Sequence, residues 1–197
     1  MTLVLLDTNA YLRLAKRVRP MLGVAFGVKA YVLVILKDVE DEVHRSAALR
    51  FKFPWFDEQV LANERLAARA RLTKSERDSI DVAAGVLRAS VLADPLRFME
   101  GSGSPPSPVD CRVLAHGYVR GCIVATDDLS MHKLAKEFGI HVWHGYDLLK
   151  ALLNAKAVDS VLVKQIFDAL EANDDLPASW RRTRHIKFPK IFGDPGK

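Results

Sequence analysis

Three acids stand out in the stretch from residue 107 to residue 128. Asp110 lies at the start of a predicted helix, and Asp127 and Asp128 directly follow an apolar run. None of the three has an obvious basic partner beside it in the sequence. Carboxylates that lie close together repel one another unless a positive charge sits between them. The pattern therefore indicates a divalent metal ion, and Mg²⁺ or Mn²⁺ suits carboxylate oxygens best.

The elements that would position these acids follow from periodicity and from turn signals. Short apolar runs alternate with amphipathic segments, which is typical of an α/β chain with a parallel sheet. Strands are predicted at residues 2–6, 31–36, 122–125 and 140–143. Helices are predicted at residues 10–16, 38–50, 126–139 and 146–155, and a further helix starts at Pro108. The fold class predicted is a three-layer α/β/α arrangement around a central parallel sheet of four to five strands.

In such a sheet, ligands bind beyond the carboxyl ends of the strands. Asp7 directly follows the first predicted strand, and Asp127 and Asp128 follow the strand at residues 122–125, so all three are expected at one edge. An acid in the helix after the second strand would complete the ring. Periodicity excludes Asp41 but leaves the choice between Glu40 and Glu42 open, because both lie at the margin of the apolar stripe.

Four motifs in this order resemble those of the PIN-domain nucleases, a family that includes the VapC-type toxins. The motifs are LLDTN at 5–9, VEDEV at 39–43, SPVD at 107–110 and TDD at 126–128. The resemblance covers residues 2–150 and implies catalytic, metal-binding roles for four acids, a further metal-binding role for one, and hydrogen-bonding roles for three neighbours. The four catalytic, metal-binding acids are Asp7, Glu42, Asp110 and Asp128. The further metal-binding acid is Asp127. The hydrogen-bonding neighbours are Thr8, Asn9 and Thr126.

The activity implied by the resemblance is that of a Mg²⁺- or Mn²⁺-dependent ribonuclease acting as an endonuclease. Divalent ions held by carboxylates neutralise charge and activate the nucleophile in phosphodiester hydrolysis. The resemblance also implies a toxin whose partner antitoxin blocks the acidic site.

Simpler roles exist for each acid, and two other classes of protein remain as alternatives. Asp7 stands where it would cap the first helix, and Asp110 stands three residues after Ser107, where a capping-box acid belongs. Either Asp127 or Asp128 would cap the next helix, and Glu42 would be a solvated helix residue. A phosphatase with an aspartate nucleophile after its first strand would need a second aspartate where Asn9 stands. A PIN-like module that binds RNA or a protein partner without cleaving is the other alternative.

The chain divides into a PIN-like domain at residues 1–155, including a helical segment at 57–98, and a C-terminal helix with a basic tail at 156–197. The whole formal charge of +5 comes from residues 180–197. The tail cations predicted to bind nucleic acid are Arg181, Arg182, Arg184, Lys187 and Lys190. Trp180 and Phe188 could stack on bases, or they could dock the tail on the core. A third possibility is that the tail occupies the RNA-binding groove and restrains the enzyme.

Composition narrows the setting further. No apolar run reaches the length of a membrane span, and two cysteines without a paired motif favour neither disulfides nor a zinc site. A cytoplasmic, soluble protein is expected. The apolar stripe in residues 57–95 predicts packing against the core or a homodimer.

Overall fold

The computed structural model describes residues 1–99 and 103–192, with only the backbone of residues 183–187. Five strands form one sheet in the order β2-β3-β1-β4-β5. They are β1 (Thr2–Leu6), β2 (Ala25–Phe26), β3 (Tyr31–Ile35), β4 (Ile123–Ala125) and β5 (Val142–Trp143). The pairs β1–β3, β1–β4 and β4–β5 are parallel, whereas β2 is antiparallel to β3. The sequence predicted the parallel strands but missed β2. Because β2 is antiparallel, the sheet is mixed at that edge.

The helices connect and flank these strands. They are α1 (Thr8–Leu14), α2 (Lys37–Arg45), α3 (Ala47–Lys52), α4 (Gln59–Ala67), α5 (Lys74–Ala93), α6 (Pro95–Phe98), α7 (Pro108–Arg120), α8 (Leu129–Glu137), α9 (Gly145–Asn154), α10 (Ser160–Ala172) and α11 (Ala178–Phe192). A short 3-10 turn spans Pro54–Asp57.

The central strand β1 forms the middle of the core. Val4, Leu5 and Leu6 are fully buried, which requires cover on both faces of the sheet. This burial is compatible with the predicted three-layer α/β/α arrangement. In the register, Leu6 lies opposite both Ile35 and Ala125, so β3, β1 and β4 end at the same level. The residues that follow these strands therefore share one edge.

Helix α7 is fixed at both ends by local sequence. Ser107 and Asp110 form a capping box at its start, as the sequence predicted, and Gly121 ends it in a left-handed conformation. Gly117 allows the helix to approach the sheet, because a Cβ there would lie 2.8 Å from Val124 and 2.9 Å from Ile140. The last turn of α7 therefore packs closely against β4 and the residues before β5.

Three predicted elements differ from those in the structure. The helix expected at residues 38–50 is broken at Ser46, whose side chain caps α3 by accepting from the Leu49 N–H. The helix expected at residues 10–16 begins two residues earlier, at Thr8. The basic residues expected in a tail lie instead on α11, a helix that continues through Pro189.

The helical segment between α3 and α7 is folded onto the rest of the chain. Thr73 and Glu76 form a capping box at the start of α5, and α5 packs along α7. The Gly-, Ser- and Pro-rich stretch at residues 101–108, a composition that favours a loop, lies partly outside the described residues. Across the described ranges, no helix combines the length and the apolar character needed to cross a membrane.

Candidate metal centre

Asp7 lies at the carboxyl end of β1 and is almost completely buried, with 4% of its surface exposed. Its Oδ1 accepts from the Ala10 N–H at 2.5 Å, so it caps α1, and its Oδ2 accepts from the Thr126 hydroxyl at 2.5 Å. Burial raises the pKa of the Asp7 carboxyl to about 7, although both hydrogen bonds and the charge of Arg13 lower it. A nearby positive ion would restore the charged form.

The structure separates Glu42 from Glu40. The Glu42 carboxylate accepts a hydrogen bond from the Thr8 hydroxyl, which turns it toward the end of β1. Glu40 is buried on another side of α2, where its carboxylate lies 3.1 Å from an Arg69 nitrogen and 3.6 Å from Arg65 Nε. Glu40 therefore has two basic partners, and Glu42 is the acid of this helix that faces Thr8.

Asp110 lies in the first turn of α7, and its Oδ2 accepts from the Ser107 N–H at 2.7 Å. Burial raises the pKa of the Asp110 carboxyl, and the negative charges of Asp128 and Glu42 raise it further, against the hydrogen bonds from Ser107. Acids from three separate elements thus affect one another electrostatically. Asp110 is both a helix cap and a member of this acidic group.

Asp128 caps α8 and is tied to Asp7 through Thr126. Its Oδ1 accepts from the Ser130 N–H at 2.7 Å and from the Ser130 hydroxyl at 2.5 Å. The Asp128 N–H donates to the Thr126 hydroxyl oxygen at 3.1 Å, and that hydroxyl in turn donates to Asp7. Thr126 therefore links the turn after β4 to the turn after β1.

Asp127 points elsewhere and has partners of its own. Its Oδ1 accepts from the Gly145 N–H at 3.0 Å and from the Trp180 indole N–H at 2.8 Å. An Arg13 nitrogen lies 3.7 Å from Oδ2. Burial raises the pKa of Asp127, but the His144 side chain, these hydrogen bonds and Arg13 outweigh it, so the pKa is lowered. The carboxylate is already neutralised by protein groups.

The four remaining acids fit a divalent cation by their chemistry. Within the described part of the chain, no lysine, arginine or histidine forms an ion pair with Asp7, Glu42, Asp110 or Asp128. The described hydrogen bonds of Glu42 and Asp128 use one carboxylate oxygen each, which leaves the other for a ligand. Hard oxygen donors of this kind suit Mg²⁺ and Mn²⁺.

The arrangement is not that of a preformed metal cage. Among the residues described, no three His, Cys, Asp or Glu side chains are grouped so that one ion could be held between them. The carboxylates instead face hydroxyls and amide N–H groups from Thr8, Thr126, Ser107 and Ser130. Cation binding would require side-chain rotation toward a shared point.

The other residues with predicted roles are placed as follows. Asn9 is exposed beside Asp7, and no described hydrogen bond involves its side chain. Arg181, Arg182 and Lys190 are exposed on α11, while the side chains of Arg184 and Lys187 lie outside the described residues. Trp180 is 3% exposed, which favours docking on the core over stacking on bases. Phe188 packs 4.6 Å from the Phe167 ring, which favours docking of the segment on the core.

Sequence reasoning missed several residues around the acids. Ser130, two positions after Asp128, could have been found as part of a capping pattern. Arg13 and Gly145 carried no signal, because they meet Asp127 only through the tertiary fold.

Comparisons with known proteins found little. No protein-family model matches the chain, and no curated protein matches it. Among solved structures, a similar chain belongs to the crystal structure of VapBC2 from Rickettsia felis bound to a DNA fragment from their promoter. That chain has 13% sequence identity and a TM-score of 0.42, with 72% of this chain and 98% of that chain covered.

Proposed function

We propose that this protein is a divalent-metal-dependent ribonuclease that cleaves RNA internally. The observation that carries the proposal is the group of four acids at one sheet edge, none of which forms an ion pair with a basic side chain among the described residues. Two of them, Asp7 and Asp110, have raised pKa values because of burial, and neighbouring acids raise them further. Groups of this kind, perturbed together, are typical of functional sites.

Asp7, Glu42, Asp110 and Asp128 would hold Mg²⁺ or Mn²⁺, which supplies charge neutralisation at the scissile phosphate. Thr8 and Thr126 would orient the carboxylates of Glu42 and Asp7 through the hydrogen bonds that they already donate. The exposed cations of α11 would bind the RNA backbone, because an acidic site repels phosphate and needs positive charge nearby. Trp180 touches Asp127, so α11 begins next to the turn that carries Asp128.

The motifs LLDTN, VEDEV, SPVD and TDD support ribonuclease activity over other phosphoesterases. They also support a role as the toxin of a toxin–antitoxin pair, with an antitoxin presenting basic groups to the acids. A circular, single-stranded RNA tests the activity, because only an endonuclease linearises it. We expect linear product in Mg²⁺ or Mn²⁺ and none in chelator. Intact circles beside degraded linear RNA would contradict internal cleavage.

One observation favours a second candidate, a PIN-like module that binds RNA or a protein without cleaving. No described trio of acids is grouped for metal binding, and each acid has a capping or hydrogen-bonding partner. The same assay separates the two candidates. If the protein binds RNA without needing metal and all RNA circles stay intact, the result supports the non-cleaving module.

A further inference from the structure

Asp127 connects the turn after β4 to the C-terminal part of the chain. Its carboxylate receives the Trp180 indole N–H at 2.8 Å, the Gly145 N–H at 3.0 Å and the Ser179 hydroxyl at 3.4 Å. Arg13 approaches from α1 at 3.7 Å and also donates from Nε to the Asp175 carbonyl at 3.2 Å. Groups from α1, α9 and α11 therefore converge on one side chain.

Trp180, which makes the shortest of these hydrogen bonds, is itself held in place. Trp180 is 3% exposed, and its ring lies 6.3 Å from that of Phe167 and 6.4 Å from that of Tyr146. An indole packed in this way presents its N–H in one direction only. Trp180 can therefore fix the position of the Asp127 carboxylate.

The residue at position 145 has to be glycine for this contact to form. A Cβ at Gly145 would lie 2.7 Å from Trp180 Cζ2 and 2.8 Å from Asp127 Oδ2. Both distances are shorter than any ordinary carbon contact, so a side chain there would push Trp180 and Asp127 away. The close approach of α9 and α11 at this point depends on the missing side chain.

Three successive residues of the turn serve different partners. Thr126 bonds Asp7 at 2.5 Å, Asp127 bonds the C-terminal segment, and Asp128 caps α8. The turn is thus anchored on one side through Thr126 and on the other through Asp127. Asp128 lies next to the second anchor.

We propose that Trp180 and Asp127 are a positioning pair that fixes the turn carrying Thr126 and Asp128, which makes the C-terminal segment an integral part of the acidic site. The expected effect of this pair on metal binding rests on the proposed function. Asp127 is then not a metal ligand, and α11 does more than carry cations. Neither residue touches substrate in this role.

The test uses the full-length chain with Trp180→Phe, which keeps the aromatic packing and removes the N–H donor. Trp55→Phe is the matched control, because the Trp55 ring packs on Phe53 at 5.8 Å, away from Asp127. Amide hydrogen exchange is measured without metal. We expect exchange across residues 126–131 to be at least about five-fold faster in Trp180→Phe, the effect of losing one hydrogen bond, and unchanged in Trp55→Phe.

A second perturbation leaves every polar side chain in place. Gly145→Ala should separate Trp180 from Asp127 and speed exchange in the same residues. Gly85→Ala, in an exposed part of α5 with no atom near the added Cβ, should not. Faster exchange confined to residues 178–192 in both Trp180→Phe and Gly145→Ala would overturn the positioning pair, because α11 would then only dock on the core.

Metal affinity, measured by calorimetry with Mn²⁺, gives the second readout. Removing a partner that orients a metal ligand typically lowers metal affinity 10- to 100-fold. We therefore expect Trp180→Phe to bind Mn²⁺ about ten-fold more weakly than wild type and Trp55→Phe. Equal affinity in all three proteins would overturn the inference. If wild type binds no Mn²⁺, the metal-dependent function fails, and the exchange comparison alone still decides whether the pair positions the turn.

Discussion

The hydroxyl of Thr8, the first residue of α1, donates a hydrogen bond to the carboxylate of Glu42 in α2. The two residues are 34 positions apart, and the bond joins the turn after β1 to the helix after β3. It also directs Glu42 to the sheet edge where Asp7 lies. Glu40, two residues earlier in the same helix, is directed to Arg65 and Arg69 instead.

Exchange of each glutamate for glutamine should therefore separate activity from stability. Glu42→Gln should reduce RNA cleavage at least about 100-fold, more than is typical for a partner that only orients a ligand, with little loss of stability. Glu40→Gln should lower the free energy of unfolding by about 3 kcal/mol, because Arg65 is buried and loses its counter-charge. Urea unfolding and cleavage rates measure both effects. A folded Glu40→Gln protein without activity, beside an active Glu42→Gln, would reverse the assignment.

Asp7→Asn should stabilise the metal-free protein at pH 7.5 while abolishing cleavage. The buried carboxyl has a pKa of about 7, so at this pH the fold bears the cost of a desolvated charge, on the order of 4 kcal/mol. Asparagine still caps α1 through its one amide oxygen, and its amide nitrogen can donate to the Thr126 hydroxyl oxygen. The control is Asp159→Asn, a cap of α10 bonded to the Leu162 N–H at 2.7 Å, which should change stability little. A destabilised Asp7→Asn protein would argue against the raised pKa.

Asp7 and His116 should oppose each other in the pH dependence of stability. The pKa of Asp7 is raised to about 7, so the native state binds the extra proton and stability falls as pH rises from about 4 to 7. Burial lowers the pKa of His116 to about 4, so the unfolded state binds the extra proton and stability rises from pH 4 to about 6.5.

Single variants should reveal each contribution. With Asp7→Asn, the free energy of unfolding should rise more steeply between pH 4 and 6.5, because the opposing contribution of Asp7 is removed. With His116→Gln it should fall over the same range. Urea unfolding in metal-free buffers at several pH values measures the slopes. Parallel curves for wild type and both variants would show that neither group titrates as described.

Neutralising exposed cations of α11 should weaken RNA binding. Point changes are needed, because truncation before α11 would remove Trp180 and Phe192, which are buried. Changing Arg181, Arg182 and Lys190 to glutamine should lower affinity and reduce the salt slope by about 0.7 for each phosphate that the protein no longer neutralises. The control changes three exposed lysines outside α11: Lys29, Lys74 and Lys136. Equal slopes in both triple variants would remove α11 from the RNA interface.

Expression of the wild-type chain alone should arrest bacterial growth if the protein is a toxin. Asp7→Asn, folded and without a metal-binding carboxylate, should be tolerated at the same protein level. Colony counts after induction, with immunoblots for protein amount, measure the difference. Equal tolerance of both would leave a ribonuclease that processes RNA without acting as a toxin.

Local signals predicted the elements that carry the acids. The apolar run at residues 2–6 forms β1, and the SPVD motif starts α7 with the capping box of Ser107 and Asp110. Gly139 follows α8 in a left-handed conformation. Strand β2 was missed because two residues give no periodicity. The break at Ser46 was missed because the apolar spacing continues across it, and only the Ser46 cap reveals it.

Tertiary contacts determined what local sequence could not. Glu40 and Glu42 flank the apolar stripe of α2 on opposite sides, and what distinguishes the two sides is Arg65 and Arg69 in a later helical segment. Likewise, Asp127 and Asp128 are adjacent in sequence but serve different partners, because Trp180 reaches one of them from α11. Such pairings depend on how distant elements pack.

The most direct measurement is the RNA cleavage rate as Mn²⁺ or Mg²⁺ is titrated into metal-free protein, for wild type and Asp110→Asn. Asparagine at position 110 can still cap α7 but supplies a weaker metal ligand. We predict saturable, metal-dependent cleavage by wild type and at least about 100-fold slower cleavage by Asp110→Asn at the same metal concentration. Cleavage that is independent of metal, or equal in the two proteins, would contradict the account.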